Sequence, residues 1–98
     1  MLQAEEMLDK GDYKGAIATF TRAIELDPEA VEAYNYRGTA KVKSGDNAGA
    51  IEDFTYAIEL DPNFASPHVV RGDAYSGLGD KQRAINDYDK AIELDPNN

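Results

Sequence analysis

The hexamer Ala-Ile-Glu-Leu-Asp-Pro occurs at Ala23–Pro28, Ala57–Pro62 and Ala91–Pro96, so its copies start 34 residues apart. A fixed period of this length points to a row of like units, each packed on its neighbours, rather than one closed core. The register extends well beyond the hexamer. GDYKGAIATFTRAIELDP (residues 11–28), GDNAGAIEDFTYAIELDP (45–62) and GDKQRAINDYDKAIELDP (79–96) match column by column. Upstream, AYNYRGTAKVKS (33–44) aligns with PHVVRGDAYSGL (67–78), and MLQAEEMLDK begins part-way through the same stretch.

Each unit reads as two helices. Ala50, Ile51, Phe54, Ala57, Ile58 and Leu60 recur at spacings of three and four, which puts most of them on one helical face. Gly45-Asp46 separates this run from the preceding one; glycine can end a helix in the left-handed region and aspartate can cap the next. The pattern predicts helices over Leu2–Lys10, Tyr13–Leu26, Ala30–Ser44, Asn47–Leu60, Pro67–Leu78 and Lys81–Leu94. The hexamer is then a helix end, with Ala, Ile and Leu as its last buried positions, followed by a proline that cannot continue the helix. Its acidic residues recur because the helical turn recurs. A calcium loop would need several oxygen ligands at close spacing around a turn glycine, so no metal and no cofactor is expected.

The columns Tyr34, Arg37, Gly38, Lys41, Ala50, Phe54 and Pro62 return as His68, Arg71, Gly72, Tyr75, Ala84, Tyr88 and Pro96. The first copy has Gln3, Ala4, Met7, Ala16, Phe20 and Pro28 in those places. This resembles the tetratricopeptide repeat (TPR) pattern W-x2-L-G-x2-Y…A-x3-F…P. The resemblance covers essentially the whole chain. It implies an all-α helical-repeat solenoid of three helix–turn–helix units, wound as a right-handed superhelix. The single domain would span residues 1–98, with units at 1–30, 31–64 and 65–98.

The resemblance also implies a concave groove lined by the first helix of each unit, and with it a scaffold or adaptor that binds a peptide or protein segment rather than an enzyme. The groove positions it assigns are Met1, Glu5, Leu8 and Asp9; then Glu32, Asn35, Thr39, Val42 and Lys43; then Ser66, Val69, Asp73, Ser76 and Gly77. Asn35, Thr39 and Asp73 are expected to bond a peptide backbone, and Leu8, Val42 and Val69 to hold its side chains. Relatives that dock acidic chaperone tails use two Lys, two Asn and an Arg. The matching positions here hold Met1, Glu5, Tyr36, Ser66 and Val70, so that function is not expected. Glu5, Asp9, Glu32 and Asp73 outweigh Lys43 and favour a basic or neutral ligand.

Composition sets the outer bounds. A net charge of −9 disfavours nucleic acid and anionic membrane as partners, because both call for a basic surface. The chain has no cysteine, which suits a reducing compartment, and its acidic amphipathic start is not a secretory signal; a cytoplasmic protein is favoured. No apolar run reaches the ~20 residues of a membrane span. The sole histidine, His68, falls where the family often carries an aromatic and is expected to pack between helices. Ser66-Pro67 reads as a helix start, with serine capping and proline first.

Two features depart from the pattern. Arg37 and Arg71 stand where the family usually has leucine, and sixteen residues on stand Asp53 and Asp87, while the first copy has Gln3 and Thr19. A buried arginine is costly unless paired, so Arg37–Asp53 and Arg71–Asp87 are expected to be ion pairs between the two helices of a unit. The last helix carries the same apolar face as its predecessors, Ala84, Ile85, Tyr88, Ala91 and Ile92, with no further helix to cover it. Either the chain is a segment of a longer array, structural in role, or this face supports weak self-association.

Overall fold

A computed structural model describes residues 2–96 of the chain. Among the described residues it contains six helices and no strand: α1 (Leu2–Asp9), α2 (Tyr13–Leu26), α3 (Val31–Lys43), α4 (Asn47–Leu60), α5 (Ser66–Gly77) and α6 (Lys81–Leu94). The bounds fall within one residue of those expected. Consecutive helices pack on each other, and α3 also meets α5.

The Gly-Asp dipeptide sets the turn within each pair. Gly45 has φ +97°, in the left-handed region that side chains with a Cβ resist. Its N–H bonds the Val42 carbonyl at 3.0 Å and the Asp46 N–H reaches back to Lys41 at 2.7 Å, so the two donors satisfy the helix-end carbonyls. The Asp46 side chain then caps α4, accepting from the Gly49 N–H at 2.9 Å. Asp12 and Asp80 cap α2 and α6 in the same way.

At the other end of the second helices, Asp27, Asp61 and Asp95 leave the helix in extended conformations, as the residue before a proline must. Asp27 and Asp61 also accept from the N–H two residues on, Glu29 and Asn63, which closes the turn past the proline. The expectation that the leucine of the hexamer is buried fails most clearly for Leu26, which is 87% exposed. It is the last residue of α2.

The core is built from alanines at the helix crossings with one large ring per unit. Ala4, Ala16, Phe20, Ala33 and Ala40 form one cluster, and Ala50, Phe54 and Ala74 a second. In the second and third units a glycine stands opposite the ring, where the first unit has Ala4 in the cluster of Phe20. A Cβ on Gly38 would lie 2.5 Å from Phe54 Cε1, and one on Gly72 2.7 Å from Tyr88 Cε1.

Both expected ion pairs are present, and each ties three helices rather than two. Arg37 grips Asp53 with two bonds, Nε–Oδ2 at 2.9 Å and Nη2–Oδ1 at 2.6 Å, and its Nη1 donates to Thr21 Oγ1 of the preceding unit at 3.2 Å. Arg71 repeats this with Asp87 at 2.8 and 2.7 Å and with Thr55 at 3.1 Å. The bidentate carboxylate holds each arginine firmly charged, its pKa raised despite partial burial. His68 is buried between helices, as expected. Its Nδ1 lies 3.5 Å from Asp87 Oδ1, and burial pushes its pKa down.

Candidate functional site

The first helices α1, α3 and α5 lie along one side of the stack, and a side-chain bond joins α3 to α5 there. Tyr36 stacks on Phe20 with ring centroids 5.4 Å apart, and burial together with Glu5 raises its pKa. Between α3 and α5, Asn35 Nδ2 donates to Ser66 Oγ at 3.1 Å.

Farther along the same two helices, Thr39, Val42 and Lys43 face Val70 and Asp73 across a cleft of about 190 Å³. Its floor is apolar, because Val42 and Val70 pack on the Phe54 cluster. Its rim carries one cation and one anion. Asp73 is exposed and accepts the Tyr88 hydroxyl of α6, a bond that, with burial, pushes the tyrosine pKa up to about 12. Thr39 Oγ1 donates to its own helix, at the Asn35 carbonyl 2.9 Å away, and retains its lone pairs as acceptors. A small apolar or hydrogen-bonding side chain fits such a cleft.

The structure thus gathers Thr39, Val42, Lys43 and Asp73 into one cleft and separates the remaining expected groove residues. Asn35 is only 8% exposed and spends its amide on Ser66; its Oδ1 is buried without a partner among the described residues. It is an internal strut between units and not a free bonding group. Ser66 does not cap α5: Ala65 precedes the helix, Pro67 occupies its second position, and the Ser66 hydroxyl serves Asn35 instead. Leu8 is half-buried against the first core cluster. Val69 faces a different cleft, of about 420 Å³, with Ala65, Leu94 and Asp95. Asp9, Glu32 and Ser76 are exposed. A Cβ on Gly77 would press on Asn47 of α4, so this glycine faces the helix interface. Met1 lies outside the described residues.

Two parts of the surface were not among the expected groove residues. Val70 belongs to the cleft, and its pairing with Val42 depends on how α5 crosses α3. A wider cleft of about 640 Å³ lies over α3 between α2 and α4, bordered by Ile24, Tyr34, Lys41, Tyr56 and Glu59 above the Arg37–Asp53 pair. Tyr34 and Tyr56 stack there at 4.9 Å. The available signal was the column Arg22, Tyr56, Lys90, which differs in all three copies.

The apolar face of the last helix is partly exposed, as expected, but not at every position. Ala84 and Ala91 are 3% and 6% exposed, because they pack inward, and Tyr88 is half-buried beneath Gly72. Only Ile85 and Ile92, at 52% and 58%, remain open. Among the described residues no group of three or more His, Cys, Asp or Glu is placed to hold a metal ion, and no helix is long and apolar enough to cross a membrane.

Comparison with solved structures finds close likeness to peptide-binding helical repeats. The first TPR of Spaghetti (RPAP3), bound to the HSP90 peptide SRMEEVD, matches with TM-score 0.94 and 27% identity, over 98% of this chain and 76% of that one. The second TPR domain of human RPAP3, in complex with the HSP70 peptide SGPTIEEVD, matches with TM-score 0.92 and 29% identity over 98% and 80%. The Sgt2 TPR domain of Aspergillus fumigatus matches with TM-score 0.93 and 26% identity over 97% and 63%. Comparison with curated proteins gave no match. One family model described as tetratricopeptide repeat matches residues 1–65 and a second matches residues 65–98. With its phased helix pairs and these matches, the chain belongs to the tetratricopeptide repeat family.

Proposed function

We propose that this chain is a protein-interaction module that binds a peptide or protein segment along the side formed by α1, α3 and α5. The observation that carries the reading is the α3–α5 cleft, where an apolar floor of Val42 and Val70 meets Lys43 and Asp73 at the rim. An apolar base with a few directional polar groups is the usual make-up of a recognition pocket. The structural neighbours bound to HSP90 and HSP70 peptides support peptide binding as the general role.

The preferred ligand is neutral or basic. The HSP90 peptide seen with a neighbour ends in Glu-Glu-Val-Asp. Here the first helices carry Glu5, Asp9, Glu32 and Asp73, and a carboxylate brought there meets repulsion rather than an arginine or lysine clamp. Labelled SRMEEVD should therefore show no saturable binding by fluorescence anisotropy. A library of neutral and Lys- or Arg-containing peptides should yield binders weakened by Val70→Asp and Asp73→Asn. Tight binding of SRMEEVD would overturn the charge preference. Library binders indifferent to both substitutions would move the interaction off this cleft.

A further inference from the structure

The second helices carry a repeated stripe at positions i, i+4 and i+7. It reads Ile17–Thr21–Ile24 on α2, Ile51–Thr55–Ile58 on α4 and Ile85–Asp89–Ile92 on α6. The first two stripes show how such a surface is used. The following helix lies across each of them, its arginine donates to the central threonine, Arg37 to Thr21 and Arg71 to Thr55, and all four isoleucines are partly buried. On α6 the two isoleucines are more than half exposed, and the central residue is a carboxylate in place of a hydroxyl. Among the described residues Asp89 has no ion-pair partner.

We propose that the Ile85–Asp89–Ile92 stripe of α6 is a docking site for an amphipathic helix that brings an arginine to Asp89. The two covered stripes supply the geometry: an arginine on the incoming helix lands on the middle position, and its apolar neighbours land on the isoleucines. The change from threonine to aspartate supplies the selectivity. An uncharged helix laid over this stripe would strand a carboxylate between two buried isoleucines, whereas a guanidinium converts the same position into a charge-assisted bond. Beyond Ile92 the stripe opens into a cleft of about 160 Å³ lined by Val69, Tyr88 and Ala91. Val69 occupies the column of Asn35, which holds the start of the next unit through Ser66. The incoming helix is thus expected to begin with an apolar residue there rather than a serine.

The test uses the chain's own covering helix as the probe. A peptide of residues 31–44, held helical by a hydrocarbon staple on its exposed face and checked by circular dichroism, is titrated into the isotope-labelled full chain. Saturable NMR shifts are expected at Ile85, Asp89 and Ile92. An Arg37→Gln version of the peptide, or Asp89→Lys in the protein, should weaken binding about tenfold or more. Absence of shifts at these residues, or binding unchanged by both charge changes, would overturn the proposal. So would sedimentation showing a dimer that dissociates on Ile85→Asp but ignores Asp89→Lys, because the stripe would then belong to a second copy.

Discussion

Two side-chain constellations explain most of what is particular to this chain. Arg37 and Asp53 are a partly buried pair with side-chain exposures of 18% and 5%, and Lys41 adds a third charge at 3.1 Å. Removing either partner leaves the other poorly compensated, so Arg37→Met or Asp53→Leu should each cost about 3 kcal/mol in urea unfolding. The double variant should cost much less than the sum, with a coupling of roughly 1–3 kcal/mol. Additive effects would show that the bonds contribute nothing of their own. His68 titrates in the opposite sense to a paired histidine. Its folded pKa is below the unfolded value of 6.5, chiefly through burial, which outweighs the pull of Asp87. The neutral side chain therefore supports the fold fully above pH 6.5, and that support is lost as pH falls through the lower folded value. His68→Tyr, which copies Tyr34 and its bond to the Pro28 carbonyl, should remove the part of the decline in thermal unfolding curves that sets in below pH 6.5. A decline of equal size in the variant would place its origin in the carboxylates.

At the scale of the helix pair, ring and glycine act as one device. Phe54 lies so close over Gly38 at the crossing of α3 and α4 that an added Cβ would meet its ring at 2.5 Å. Gly38→Ala should destabilise by about 1–3 kcal/mol, the usual cost of overpacking, even though alanine is the better helix former. Phe54→Leu in the same chain should recover part of that loss, because it removes the atoms that clash. Equal stability of Gly38→Ala and the parent by chemical denaturation would show that the ring can move aside. The helix bounds were readable in the sequence to a residue because they are set by local chemistry: a glycine in the left-handed region, a capping aspartate, a proline. Ser66 was misread for the opposite reason. A serine before a proline has the right local chemistry for a cap, but Asn35, 31 residues away, claims its hydroxyl.

At the scale of the whole molecule the stack has two different sides to offer. The side formed by the first helices is polar, acidic and joined across units by Asn35–Ser66, with an apolar-floored cleft between α3 and α5. The outer face of α6 is a short apolar stripe with a charge at its centre. Because each unit touches mainly its neighbours, a ligand on the α3–α5 cleft and a helix on α6 meet through α5, through its Arg71–Asp87 pair and through the Tyr88–Asp73 bond.

Periodicity by itself determined the number of units, their phase, their helices and the pairing of Arg37 with Asp53, since all of these repeat with the chain and depend on residues close in register. It also determined that Ile85 and Ile92 would lie open, because the same columns are covered only by a following helix. What only the tertiary structure decided was which surface residues are free. Asn35, Ser66 and Leu8 are drawn into contacts between units, Ala84 and Ala91 turn inward, and Val70 joins the cleft, because the crossing of one helix over another selects which of several polar or apolar side chains meet. A repeat defines the columns, but the angle at which the helices pack sorts them into strut, core and open surface.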